Sequence, residues 1–396
     1  MSDKILFTSV VAMYTLSIIM VYSLSVYTTQ YYGYSDTHFL LRQGMAVTIS
    51  LFVIYIFSSL DPDKWFMRVG FTILTLSLIL MVSMPFLPSS MVKEIMGAKR
   101  WVRIGSISIA PVEFFKIGFV FFTAWSFNRR LIHKGELSFA EEIKVILPYI
   151  LAFVGLVFLI AIFQKDLGQV VVLAIMLLIM FVIAGRSMKL FVSFIALGIF
   201  AIIILIEIAP HRIRRIKDWW GGIQDKFLSF FPDSIGDKLR VDNAIEPYQV
   251  SNSLNAIYDG GWFGQGLGNG RFKLGYLSEI HTDFILSGIA EELGFFALIL
   301  LSSVMLVILF RLLRIASKLT DPVYYLFTVG VALLILFAFI INSYGISGLT
   351  PVKGIAVPFL SYGGSQILAG AMAIGMVLMI SKKAESREKG STDSIS

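Results

Sequence analysis

Long apolar runs recur from one end of the chain to the other, separated by short polar breaks. They predict helices near 5 to 27, 39 to 60, 68 to 87, 110 to 127, 144 to 163, 170 to 185, 190 to 208, 283 to 310, 324 to 345 and 364 to 381. A bilayer core of roughly 30 Å takes about 20 helical residues to cross, so the pattern is that of a chain passing repeatedly through a membrane. The expected fold is therefore an all-α polytopic integral membrane protein of about ten transmembrane helices. One membrane domain covers 1–383, with a large extracytoplasmic loop at about 209–282 between helices 7 and 8. The polar, Ser-, Glu- and Lys-rich residues 384–396 are expected to form a disordered cytoplasmic tail. The first apolar run follows Met1 to Lys4 without a small-residue cleavage site, and predicts a first span instead of a removed signal peptide.

Composition agrees with the pattern: 396 residues, 57% hydrophobic and 15% charged, with a mean hydropathy of +0.81, are too apolar for a soluble core and surface. The net charge of +7 raises nucleic acid as a partner. The Lys and Arg residues, however, are scattered among loops and form no stripe, so membrane orientation explains them better and no nucleic-acid binding is expected. With the N-terminus inside, the inner loops hold Lys64, Arg68, Arg129, Arg130, Lys134, Arg186, Lys189, Arg311, Arg314 and Lys318, and the tail adds Lys382, Lys383, Arg387 and Lys389. The short outer connections at 28–38, 164–169 and 346–362 are nearly free of them, which predicts an even number of spans and two cytoplasmic termini. The segment 88–109 breaks the rule with Lys93, Lys99, Arg100 and Arg103. Its WVRIGSISI stretch alternates apolar and polar residues as an interfacial segment would, with Trp101 at headgroup depth. The absence of cysteine excludes disulfides, thiolate nucleophiles and cysteine-zinc sites.

Candidate chemistry concentrates in four places. Residues 260–294, GGWFGQGLGNGRFKLGYLSEIHTDFILSGIAEELG, join a glycine-rich run, suited to a loop folded closely against a ligand, to Glu279, His281 and Asp283 at the mouth of a span. No βαβ unit surrounds the glycines, so they do not make a nucleotide fold. A carboxylate near membrane depth is costly and a functional candidate by default; Asp283, or Thr282 beside it, reads equally as an N-cap. Glu291 and Glu292 lie deeper, one of them facing the bundle interior as a functional group or as a buried structural hydrogen bond. In 97–119, Glu113 and Lys116 share a helix face at i, i+3 past Pro111 and make either an isolated salt bridge or, with Arg100 and Arg103, a cationic rim for a diphosphate. QKDLG brings Lys165 and Asp166 to the same side. SGLTPVKGIAVPFLSYGGSQ, 347–366, interrupts apolar sequence with Pro and Gly as cavity-lining backbone or as an ordinary outer loop does.

GAKRWVRIG with PVEFFK, QKDLG, GQGLGNG with SEIHTDFILSGIAEELG, and PVKGIAVPFLSYGGSQ stand in the order and spacing of the SEDS family of bacterial cell-wall proteins. The resemblance covers nearly the whole chain and is greatest to the cell-division branch, with the elongation and sporulation branches close. It implies a ten-helix peptidoglycan glycosyltransferase that polymerises lipid II on the outer face of the cytoplasmic membrane, at the division septum. It places the family's essential aspartate on Asp283, its fourth-helix pair on Glu113 and Lys116, and its basic pair on Lys99 and Arg100. The substrate-binding candidates are then Lys99, Arg100, Arg103, Glu113, Lys116, Lys165, Asp166, Glu279, His281, Glu292 and Ser361. The implied partners are lipid II and undecaprenyl diphosphate-linked glycan, a class B penicillin-binding transpeptidase of the FtsI type, and other division proteins. Ser278, Lys165 and Lys353 depart from the family's usual residues and put local loop geometry in question.

The chemistry so implied needs a base for a sugar 4-hydroxyl, for which Asp283 is the candidate, and positive charge for a leaving diphosphate. Arg100, Arg103, Lys116 or a divalent cation, Mg or Mn, would supply that charge, and no metal ligands are assigned. An α-linked donor giving a β-linked strand requires one inverting displacement and no second nucleophilic carboxylate. A lipid II flippase would instead use Glu113, Lys116 and Glu292 as translocation groups, although the chain has no evident inverted repeat of broken helices. A scaffold that only recruits a transpeptidase would leave Asp283 unexplained.

Overall fold

The computed structural model describes residues 3–92, 94, 98–105, 107–132, 137–207, 210–232, 240–241, 248–352 and 354–393. Lys93, Lys134, Lys353 and the last three tail residues lie outside them.

All ten expected helices are present. They are α1 Lys4–Leu24, α3 His38–Ser59, α4 Pro62–Ser83, α5 Pro111–Phe127, α6 Phe139–Val157, α7 Leu167–Ile183, α8 Met188–Glu207, α11 Ile285–Lys318, α12 Pro322–Ile346 and α13 Gly364–Asp393. Among the described residues three more α-helices lie between them: the short α2 Val26–Tyr31, and α9 Pro210–Leu228 and α10 Tyr248–Gly260 inside the stretch expected as one long loop. Among the described residues, α1, α3, α4, α6, α11, α12 and α13 are long and apolar enough to cross a membrane, while α7 and α8 are shorter apolar helices. The tenth, α5, carries Glu113 and Lys116, which lowers its hydropathy without removing it from the bundle.

Local sequence sets the helix starts. Asp3, Asp61 and Asp321 cap α1, α4 and α12, each accepting from a backbone N–H of the first turn, and Pro62 and Pro322 follow two of these caps at a position where no N–H is needed. At the far end, α13 continues in backbone through Asp393, so the stretch from 384 that was expected to be disordered largely extends this helix. Once nucleated in the bundle, a helix needs only one hydrogen bond per added residue to propagate.

The last span is the centre of the molecule: 67% of its apolar stretch is buried, against 22% to 44% in the other candidate spans. It packs along α3 and touches α4, α5, α11 and α12, while α12 lies against α5, α7 and α11. Leu147, Leu151 and Val154 of α6 and Val192, Leu197 and Ile199 of α8 are exposed, an apolar exterior that suits contact with hydrocarbon. At one end, Asp3 meets Arg311 at 2.5 Å and Asp63 meets Lys383. The opposite end carries the connections that follow α4, α6 and α12. There the alternating stretch after Trp101 is a small antiparallel hairpin, β1 Val102–Ile104 with β2 Ile107–Ile109, in the register Val102 to Ile109.

Candidate active site

Asp283 stands one residue before Phe284, the N-cap of α11, which makes no side-chain capping bond. The N-cap reading of Thr282 or Asp283 is therefore not what the structure has: the Thr282 hydroxyl donates instead to the Glu279 carbonyl at 2.9 Å. The Asp283 backbone is held from three sides. Its N–H donates to the Glu279 carbonyl at 3.1 Å, its carbonyl accepts from Asn342 Nδ2 of α12 at 2.6 Å, and the Thr282 carbonyl accepts from Ser361 Oγ at 2.6 Å. Asn342 also donates to the Ile355 carbonyl at 2.7 Å. The carboxylate itself is half-buried, with no hydrogen bond or ion pair to it among the described residues. Gly354 passes beside it with φ +61°, where a Cβ would lie 3.0 Å from Oδ2; both the left-handed backbone and the close approach call for glycine. Burial pushes the Asp283 carboxyl up to about 6; the charges of Glu279 and Asp166 act in the same direction and that of Arg100 opposes them. A carboxylate so placed ionises near neutrality and is a stronger base than a solvated one.

The expected charges converge on it in a line. Arg100 lies 3.6 Å from Asp166 and donates to the carbonyls of Gln164 at 3.2 Å and Lys165 at 2.8 Å. Asp166 caps α7 through the Gln169 N–H, and burial raises its carboxyl while Arg100 lowers it. Gln169 donates onward to Glu113 at 3.1 Å, and Glu113 pairs with Lys116 at 2.8 Å. This pair is thus not isolated. Lys99 and Arg103 are exposed at the rim. Lys165 holds a positive φ of 51° and Glu279 one of 57°, the strained corners of two turns. His281 is buried between Phe39 and Tyr362, ring centroids 4.9 and 5.5 Å away, and burial lowers it to about 4. It packs as a neutral ring beneath the site. Ser361 acts by its hydrogen bonds to the backbone and not by facing the carboxylate.

Below this end a cleft opens between α5, α7, α12 and α13. Val331, Leu334, Ile335 and Ala338 form an apolar wall, and Glu113, Lys116, Gln169 and Gln366 supply its polar groups. Ile355 and Ala356, just after the glycine that abuts Asp283, line it too. Such a slot accepts an amphiphile whose hydrocarbon lies along the wall and whose charged head meets the line of ions. Among the described residues no group of three or more His, Asp or Glu is placed to hold a metal ion.

Glu292 lies away from the cleft. It is fully buried and pairs with Lys273 at 2.6 Å, a partner 19 residues earlier that the sequence reading missed. The glycine run folds against α11 itself, with the N–H groups of Gln265 and Gly266 donating to the carbonyls of Glu291 and Glu292 at 2.9 Å. Asn342, a lone amide in an apolar span, was the overlooked signal nearest the site. Arg42 was overlooked as well; it hydrogen-bonds Tyr362 and opposes the rise that burial causes in that phenol.

Fold and site together define a polytopic α-helical membrane protein with a half-buried carboxylate near a largely apolar cleft that holds an ion pair. The model of the FtsW, RodA and SpoVE family, described as cell cycle protein, matches residues 3–386, and the chain belongs to that family. It is similar to the probable peptidoglycan glycosyltransferase FtsW of Helicobacter pylori (strain ATCC 700392 / 26695), 45% identical over 386 residues, covering 96% of this chain and 98% of that protein. It is also similar to the stage V sporulation protein E of Bacillus subtilis (strain 168), 31% identical over 381 residues, covering 96% and 97%. Among solved structures, a chain of a peptidoglycan synthase complex matches with a TM-score of 0.69 at 22% identity, covering 96% and 98%. The rod shape determining protein RodA of Thermus thermophilus matches with 0.62 at 22%, covering 96% and 97%. Both share the fold.

Proposed function

We infer that this chain is a peptidoglycan glycosyltransferase of septal cell-wall synthesis that polymerises lipid II into glycan strands. The observation that carries the reading is the Asp283 carboxylate, desolvated and without a partner among the described residues, against Gly354 at the head of the loop whose Ile355 and Ala356 line a cleft with an apolar wall; the names of its relatives support it. Asp283 takes the proton from the acceptor 4-hydroxyl as that oxygen bonds to the anomeric carbon of the donor. The bond to the diphosphate oxygen breaks with its electron pair, and undecaprenyl diphosphate leaves. A base so positioned is worth roughly 100-fold to 10,000-fold. One displacement inverts the α-linkage to β, and neither Asp166 nor Glu113 is required as a second nucleophile. Arg100 and Lys116 stabilise the charge of the leaving group.

Arg68, Arg129, Arg130, Arg186, Arg311 and Arg314 belong to the end opposite Asp283, which supports an extracytoplasmic site and cytoplasmic termini in the bacterial inner membrane. A class B penicillin-binding transpeptidase is the partner that would cross-link the product, alongside other division proteins. The test is polymerisation of labelled lipid II by the full chain purified with that partner. Asp283→Asn is expected to slow polymerisation by about 100-fold to 10,000-fold, and a rate near that of the wild type in this variant removes Asp283 as base. A flippase would carry lipid II across vesicles and make no polymer in the wild type.

A further inference from the structure

Lys273 and Glu292 are left idle by the reaction, yet among the described residues they form the most enclosed ion pair, with side chains 4% and 0% exposed. Lys273 Nζ also donates to the Gly268 carbonyl at 2.7 Å and to Ser23 Oγ at 3.3 Å. Ser23 Oγ in turn donates to both Glu292 oxygens, at 2.9 and 2.7 Å. Burying such a pair is a poor way to gain stability, since well-packed apolar side chains serve as well or better. Its geometry suggests another use. The α11 helix is broken at Gly294, whose φ of 81° and ψ of 178° are not helical. A Cβ there would lie 2.4 Å from the Gly264 nitrogen. The segment 285–293 that leads from Asp283 is thus a short helix severed from the long span below it. Too short to be rigid alone, it takes its orientation from its anchors. At its lower end these are the carbonyls of Glu291 and Glu292, the Glu291 carboxylate accepting from the Arg271 and Phe272 N–H groups, and the ion pair. Among the hydrogen bonds of the described residues, those of this pair join the short helix to both the glycine loop and α1.

We propose that Lys273 and Glu292 are positioning residues, whose closed ion pair fixes the depth and rotation of the 285–293 helix against α1 and so holds Asp283 over the cleft. The proposal rests on Asp283 being the base. Because the chain contains no cysteine, Asp283→Cys is a clean reporter of that position. In the full-length chain, its alkylation by a water-soluble maleimide is expected to be slow with the pair intact and several-fold faster when Glu292→Gln is added. In the chain with Asp283 retained, Glu292→Gln is expected to lower kcat for lipid II polymerisation by about 100-fold, the effect of displacing a reacting group by roughly 1 Å, with KM changed less than about threefold. The charge exchange of Lys273→Glu with Glu292→Lys should restore slow labelling and most of kcat. If Glu292→Gln does not fold, Lys273→Met with Glu292→Met removes both charges and keeps apolar volume; it is expected to fold, label fast and polymerise slowly. Unchanged labelling and unchanged kcat in any folded variant lacking the pair overturn the proposal. Polymerisation near the wild-type rate by Asp283→Asn, with labelling still responding to Glu292→Gln, overturns the base assignment alone.

Discussion

Glu292 and Asp283 lie nine positions apart in one segment, and both looked costly in an apolar span, but the structure treats them in opposite ways. Glu292 is completely enclosed and its carboxylate is satisfied by Lys273 and Ser23. Asp283 is half-buried, and among the described residues only its backbone is bonded. Burial therefore does not distinguish a reactive carboxylate from a structural one. An unmet hydrogen-bonding capacity does, because a fully engaged carboxylate has little left with which to accept a substrate proton. The sharpest way to break this contrast is the Asp283→Asn variant, expected to lose about 100-fold to 10,000-fold in polymerisation while its melting temperature holds or rises.

A smaller effect is expected one step along the line of charges. Arg100→Gln withdraws a cation from the leaving group and should lower kcat by about 100-fold. It also changes the base. Arg100 holds the Asp283 carboxyl down against burial, so its loss should move the acidic limb of the pH-rate profile upward from about 6. A limb that stays in place would show that Arg100 and Asp283 do not share one electrostatic site.

The same carboxyl should register in stability, and here the sign matters. Its pKa is raised by folding from 3.8 to about 6, so its contribution is fully present below the unfolded pKa and lost as the pH rises through about 6. Thermal melts of Asp283→Asn and wild type should coincide near pH 3.8. The variant should gain over the wild type between that value and about 6, and keep a constant lead above it. A lead that grows toward acid would mean that the carboxylate has a stabilising partner after all.

Much of the architecture was legible because lipid exposure enforces long apolar runs, and a helix stands at each predicted position, although two of them run on past their expected ends to Lys318 and Asp393. Arg100, Asp166, Glu113 and Lys116 were each legible as candidates, but the line that joins them was not, because its link is Gln169. What escaped prediction depends on contacts distant in sequence. Lys273 and Ser23 are separated by 250 residues, and no periodicity announces that pair. The break at Gly294 was hidden because the apolar pattern runs on through Phe295 and Phe296. The helices α9 and α10 lay in a stretch judged by its charge, although RIRRIKDWW alternates basic and apolar residues as an amphipathic helix would. The glycine run was read as a ligand loop, and its N–H groups instead engage the chain's own broken helix.

The smallest effect belongs to Ser361, and it separates holding the base from being the base. Its hydroxyl is fully buried, donates to the Thr282 carbonyl at 2.6 Å and accepts from the Val357 N–H at 2.8 Å. It therefore ties the 355–363 loop to the residue before Asp283. Ser361→Ala leaves both backbone groups without that partner, at a cost of about 1–3 kcal/mol in stability. The Asp283 carbonyl keeps its bond to Asn342, and the Tyr362 N–H still donates to the His281 carbonyl at 3.0 Å. The loop thus stays docked, and kcat should fall less than about tenfold with the pH limb unmoved. A loss as deep as that of Asp283→Asn would mean that the Ser361 hydroxyl meets the substrate directly, and the contrast between satisfied and unsatisfied groups at this site would fail.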